Sequence, residues 1–166
     1  MHYWGLAVIR WGEPRFTRDV DLTVVTTASN EEKVIDQLLT SPYRSRIAEG
    51  GDFARRNGVL LLQANNGIPL DVALGRLPFE RDMAARSSLF EFAPGCELRT
   101  CSAEDLAVQK LFAFRERDRL DVRSLAVRQR DNLDWAAVEA NLRPLVELKE
   151  QPEIMEFFRH LRDSGG

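Results

Sequence analysis

Soft metal ligands are scarce in this chain: two cysteines and two histidines in 166 residues, with His2 and His160 at opposite ends. Zinc needs four such ligands in local pairs, and no such spacing exists here, so Cys96 and Cys101 read as free thiols. Long apolar runs are missing too. Nothing approaches the roughly 20 residues that a membrane-crossing helix requires, and the N-terminus has neither the basic nor the apolar region of a signal peptide. The expectation is a cytoplasmic protein without membrane contact. Charge of one sign is also lacking: Lys and Arg total 23 against 26 Asp and Glu, a net of -3. That balance advertises no broad footprint for nucleic acid and leaves room only for a local basic patch. There is no internal repeat, and the length suits one domain, 1–166, with a real core.

What is present is an ordered alternation of short elements. "AVIRWG" forms one or two helical turns closed by Gly12, and "EPRFTR" is a loop carrying Pro14. "DVDLTVV" is a strand that opens on Asp19. "NEEKVIDQLLTSP" is a helix with Asn30 as N-cap and Val34, Ile35, Leu38 and Leu39 at helical spacing. "GVLLLQA" and "IPLDVAL" are strands joined by a turn on Asn66-Gly67, the second ending near Asp71. "PFERDMAARS" is a short helix, and "LFEFAPGCELRT" a hairpin or pair of short strands turning at Pro94-Gly95. From Ser102 to Arg128 the pattern is helical, capped by Ser102 with Asp105 at the third helical position. A last helical part carries Trp135, Val138, Leu142, Phe157, Phe158 and Leu161. Residues 1–100 therefore read as a sheet core and 101–166 as a helical part packed on it.

The stretch "YWGLAVIRWGEPRFTRDVDLTVV" carries the chemistry. Strand side chains alternate, so Asp19 and Asp21 share one face while Val20 and Leu22 share the other. Asp71 stands in the otherwise apolar "IPLDVALG", where an unpaired carboxylate is costly to bury. Three carboxylates from neighbouring strands suit Mg²⁺, a hard cation that takes oxygen ligands. The ordinary reading of Asp-X-Asp at a strand start is a solvated edge or a turn partner. Downstream, Lys110, Phe114, Asp118 and Asp121 are spaced to share a face if one helix is continuous there. Without further context, Arg115, Arg117, Asp118, Arg119 and Asp121 read as a surface ion-pair lattice, and Lys110 as a snorkelling lysine or a phosphate ligand.

The string from Gly5 to Val25 resembles the opening motif of nucleotidyltransferases of the DNA polymerase β-like superfamily, and of their small bacterial members, the AbiEii toxin-like group. There a strand runs into Gly-Gly or Gly-Ser, a helix, a G-x-x-R-x-T loop and then Asp-x-Asp. Here "GEPRFT" and "DVD" supply the last two. The likeness extends over roughly Tyr3 to Leu125, with Asp71 in "PLDVAL" as the third carboxylate and "KLFAFRERDRLD" as the lysine segment with its Arg-x-x-Asp-x-x-Asp pattern. It implies an α+β nucleotidyltransferase fold, with a small mixed β-sheet, flanking helices and a helical C-terminal part. It also implies a Mg²⁺-dependent enzyme, with one or two ions, that moves a nucleoside monophosphate from an NTP to a hydroxyl acceptor on RNA, protein or a small molecule. An antitoxin partner follows from the toxin-like group. By the same resemblance Asp19, Asp21 and Asp71 are catalytic and hold metal. Gly5, Arg15, Thr17, Arg18 and Lys110 meet the nucleotide, and Arg115, Asp118 and Asp121 support the site.

Two departures set up an alternative. Trp4 stands where the family has a glycine of the phosphate loop, and only Met1 to Tyr3 precede it where relatives have a strand and a helix. Either the start is truncated or the sheet edge is supplied differently. The alternative is a non-catalytic nucleotide-binding or protein-interaction module of the same fold, with Trp4 or Trp11 filling the cleft. Trp11 itself reads as a core or lid anchor or as a base-stacking platform.

Overall fold

The computed structural model describes residues 2–3, 5–15, 17–40 and 42–164, with backbone alone at 2, 3 and 5. Trp4 lies outside the described residues. The chain divides into two compact units, one of residues 1–6 and 16–101, the other of 7–15 and 102–166.

The first unit is built on a five-stranded mixed sheet. Its strands are β1 (His2–Tyr3), β2 (Val20–Val25), β3 (Arg44–Ser45), β4 (Val59–Gln63) and β5 (Pro69–Gly75), in the order β1-β2-β5-β4-β3. Strand β1 runs antiparallel to β2, His2 opposite Thr23, and supplies the sheet edge there. Strands β2 and β5 are parallel neighbours, which requires a crossover; β4 and β5 form the expected hairpin, with Gly67 at a φ of 82° in its turn. One sheet face carries Leu22, Leu60, Leu62, Leu70, Val72 and Leu74 against Ile35 of α2 (Glu31–Thr40) and Ala54 of α3 (Gly50–Asn57), forming a buried aliphatic core. At Gly75, a Cβ would come within 3.1 Å of Thr23 Cγ2 and 3.4 Å of Glu80 Cβ, so glycine lets helix α4 (Pro78–Arg86) approach the sheet closely. Beyond α4 comes the hairpin of β6 (Ser88–Ala93) and β7 (Cys96–Thr100), turned by Pro94 and Gly95 as the sequence predicts.

Several boundaries differ from the sequence reading. Strand β5 continues to Gly75 rather than ending near Asp71, because its parallel ladder with β2 runs to the Val25–Gly75 pair. Asn30 turns its Oδ1 back to the Thr27 N–H (2.7 Å), closing the preceding turn instead of capping α2. Strand β3 and helix α3 were not anticipated: the first has two residues, and the second opens on Gly50-Gly51.

The second unit is helical: α1 (Gly5–Trp11, from Ala7 onward), α5 (Ala103–Ala113), α6 (Glu116–Gln129), a 3₁₀ turn (Arg130–Asn132), α7 (Trp135–Lys149) and α8 (Glu153–Ser164). Ser102 caps α5 as expected, its Oγ accepting from the Asp105 N–H at 3.1 Å. The helical region from Ser102 to Arg128 is two helices, so the condition of one continuous helix is not met. Phe114 closes α5 in the left-handed region at φ 58°, and its ring lies edge-on to Phe157 at 5.6 Å. Leu106, Leu111, Leu125, Val138, Leu142, Ile154 and Phe158 form this unit's core. Segment 7–15 is tied to α6 through its carbonyls: Arg128 Nη1 donates to Gly12 O and Gln129 Nε2 to Trp11 O, each at 2.7 Å.

Candidate metal centre

Strand parity and strand pairing together assemble the carboxylates. Asp21 is in β2, and Asp19 lies two residues earlier, just before the strand begins at Val20, so both project to the same side. Asp21 stands opposite Asp71 in the parallel β2–β5 register. One ligand oxygen from each of Asp19, Asp21 and Asp71 can be chosen so that all three lie within 4.8 Å of one another. Asp19 is exposed, and Asp21 and Asp71 are half-buried, so the cluster opens to solvent. A donor set made only of carboxylate oxygens fits Mg²⁺ and leaves coordination positions for water or phosphate.

The cluster has a cation that the sequence reading missed. Arg46 Nη2 donates to Asp71 Oδ1 in an ion pair whose side chains are 31% and 34% exposed. The Arg46 backbone N–H donates to Leu61 O at 2.9 Å, and Leu61 stands opposite Asp71 in the β4–β5 register. Arg46, Leu61, Asp71 and Asp21 thus follow one line across the sheet. Nothing in "YRSRIAEG" signals this, since the placement comes from a two-residue edge strand. On the same face as Asp21, the fully buried Thr23 has a hydroxyl without a partner among the described residues.

A separate charge cluster forms within the helical unit. Lys110 Nζ lies 3.0 Å from Asp118 Oδ1 and 2.9 Å from Asp121 Oδ2. Arg15 completes it, with Nε donating to Asp121 Oδ1 and Nη2 to Oδ2, both at 3.0 Å. Burial, the largest single influence on Asp121, pushes its pKa up. The hydrogen bonds from Arg15 and Lys110, with their charges, outweigh it and hold the carboxyl below its ordinary range. Asp118 Oδ2 accepts from the Arg115 N–H at the start of α6, while the Arg115 side chain remains largely exposed. Packing of α5 against α6 brings Lys110, Asp118 and Asp121 together, not a continuous helix, and Phe114 turns away to Phe157 and Arg119. Of the remaining predicted residues, Gly5 opens α1, Thr17 is half-buried and Arg18 is exposed in the loop before Asp19. The Trp11 ring lies under the Arg10 guanidinium at 4.1 Å. Among the described residues no helix is long and apolar enough to cross a membrane.

A mixed sheet that gathers carboxylates from neighbouring strands, followed by a helical unit, is an α+β architecture. The chain belongs to the AbiEii nucleotidyltransferase toxin family: the family model described as "Nucleotidyl transferase AbiEii toxin, Type IV TA system" matches residues 5–156. Among solved structures it is similar to an antigenic nucleotidyltransferase-like protein from Paracoccidioides brasiliensis. The two are 15% identical with a TM-score of 0.49, over 95% of this chain and 83% of that one. No curated protein matches the chain.

Proposed function

We propose that the protein is a Mg²⁺-dependent nucleotidyltransferase that moves a nucleoside monophosphate from an NTP to a hydroxyl acceptor, and that it acts as the toxin of a toxin–antitoxin pair. The observation that carries this reading is the approach of Asp19, Asp21 and Asp71 to within 4.8 Å of one another. Asp19 and Asp21 would hold the ions, and Asp71 would help hold the second and take the acceptor's proton. Bound Mg²⁺ would supply charge neutralisation at the α-phosphate and a lowered barrier to deprotonation of the acceptor. Gly5, Thr17 and Arg18 are assigned to phosphate by family resemblance. So are Lys110, which Asp118 and Asp121 orient, and Arg15, which pairs with Asp121; Arg115 supports the site beside Asp118.

Family membership supports the toxin reading and an antitoxin partner; RNA, protein and small hydroxyl compounds are the acceptor classes to be tested. The test is transfer of label from each α-labelled NTP to RNA, protein and small-molecule fractions, with and without Mg²⁺. Metal-dependent labelling that Asp19→Asn or Asp71→Asn abolishes is the expected result. NTP binding without transfer to any fraction would favour the non-catalytic module.

A further inference from the structure

Arg46 is a cation that the structure sets against Asp71 of the carboxylate cluster, and its position is built rather than incidental. The β3–β4 ladder pairs Arg44 with Gln63 and Ser45 with Leu62, and the Arg46 N–H to Leu61 O bond continues the same register by one step. Leu61 is paired with Asp71, so the sheet delivers the Arg46 backbone two strands away from the third carboxylate, within reach of its long side chain. The guanidinium contacts Asp71 through Nη2. Three carboxylates this close repel one another, and one bound arginine offsets part of that repulsion.

Resting on the metal reading above, we propose that Arg46 is a built-in counter-cation that a divalent ion must displace from Asp71. An arginine and a divalent ion held by the same carboxylate oxygen would be two cations a few ångströms apart, in a cleft only partly screened by water. Asp71 therefore exchanges one for the other. The Arg46 side chain, about one-third exposed, has solvent into which to move. Arg46 thus acts as a positioning residue: it holds Asp71 in the metal-free protein and raises the ion concentration needed to fill the cluster.

The experiment is a titration of the metal-free protein with Mn²⁺, followed by the paramagnetic resonance of free ion and by calorimetry. Wild type, Arg46→Gln, Arg46→Lys, Asp71→Asn and the Arg46→Gln/Asp71→Asn double variant are compared. Arg46→Gln is expected to bind Mn²⁺ roughly three- to tenfold more tightly, and Arg46→Lys to stay close to wild type. In the Asp71→Asn background, Arg46→Gln should no longer change the affinity. Unchanged or weaker binding in Arg46→Gln would overturn the proposal while leaving the metal reading in place. Equal tightening with and without Asp71 would overturn it as well, by reducing Arg46 to a diffuse charge effect. No Mn²⁺ binding by wild type and by every variant would remove both the proposal and the metal reading.

Discussion

Lys110 Nζ sits between two carboxylates, 3.0 Å from Asp118 and 2.9 Å from Asp121, with its side chain only 15% exposed. Both acids are more deeply buried than the lysine, so removing the ammonium leaves them without their shared partner. Lys110→Met should destabilise the protein by about 2–3 kcal/mol, measured by urea unfolding. Adding Asp118→Asn to that variant should restore part of the loss, because it removes one of the stranded charges. A fully additive double variant would mean that the two side chains do not interact.

Asp121 gives the same cluster a pH signature. Its folded pKa lies below the ordinary carboxylate value, so its contribution to stability is present above the unfolded value of about 4 and is lost as pH falls through the folded one. Melting temperatures between pH 6 and pH 2 should fall less steeply below about pH 4 in Asp121→Asn than in wild type. Parallel profiles in that window would show that Asp121 does not carry the linkage.

Thr23 lies on the sheet face that carries Asp21, fully buried, with its hydroxyl unpartnered among the described residues. Valine keeps its shape and removes the desolvated oxygen. Thr23→Val should therefore stabilise by about 1 kcal/mol, read as a higher urea midpoint with an unchanged slope. A loss of stability would reveal a hydrogen bond to that hydroxyl.

Glu150 ends α7 in the left-handed region at φ 56°, exposed to solvent, where a side chain is strained and glycine is not. Glu150→Gly should raise stability by about 0.5–1 kcal/mol, less than the full strain because glycine also loosens the unfolded chain. Glu150→Ala, which keeps the strain, serves as the control in the same melts.

Legibility in the sequence followed the reach of each signal. Strand β2 and the hairpin of β4 and β5 were readable because alternation and an Asn-Gly turn are local patterns, and those same patterns put Asp19, Asp21 and Asp71 on the candidate list. Helix α3 was not readable, since two glycines at its start speak against a helix and its ends depend on Glu49 and Gly58 in left-handed conformations. Phe114 as a helix terminator was also invisible, because an aromatic at positive φ is rare. Arg46 escaped because its relation to Asp71 is written in the register of three strands, not in any spacing along the chain.

The parallel pairing of β2 with β5 also sets a timetable. Asp21 and Asp71 are separated by roughly fifty residues, and α2, β3, α3 and β4 must form in the interval, so the pair closes a long loop. A chain still emerging from the ribosome holds Asp19 and Asp21 with nothing opposite them until β5 has cleared the exit tunnel and docked. A slip of one residue in that docking would turn Asp71 to the other side of the sheet and place Val72 on theirs. A nascent or misregistered chain of this toxin-family protein therefore lacks the assembled carboxylate trio, which exists only once β5 has docked in register beside β2.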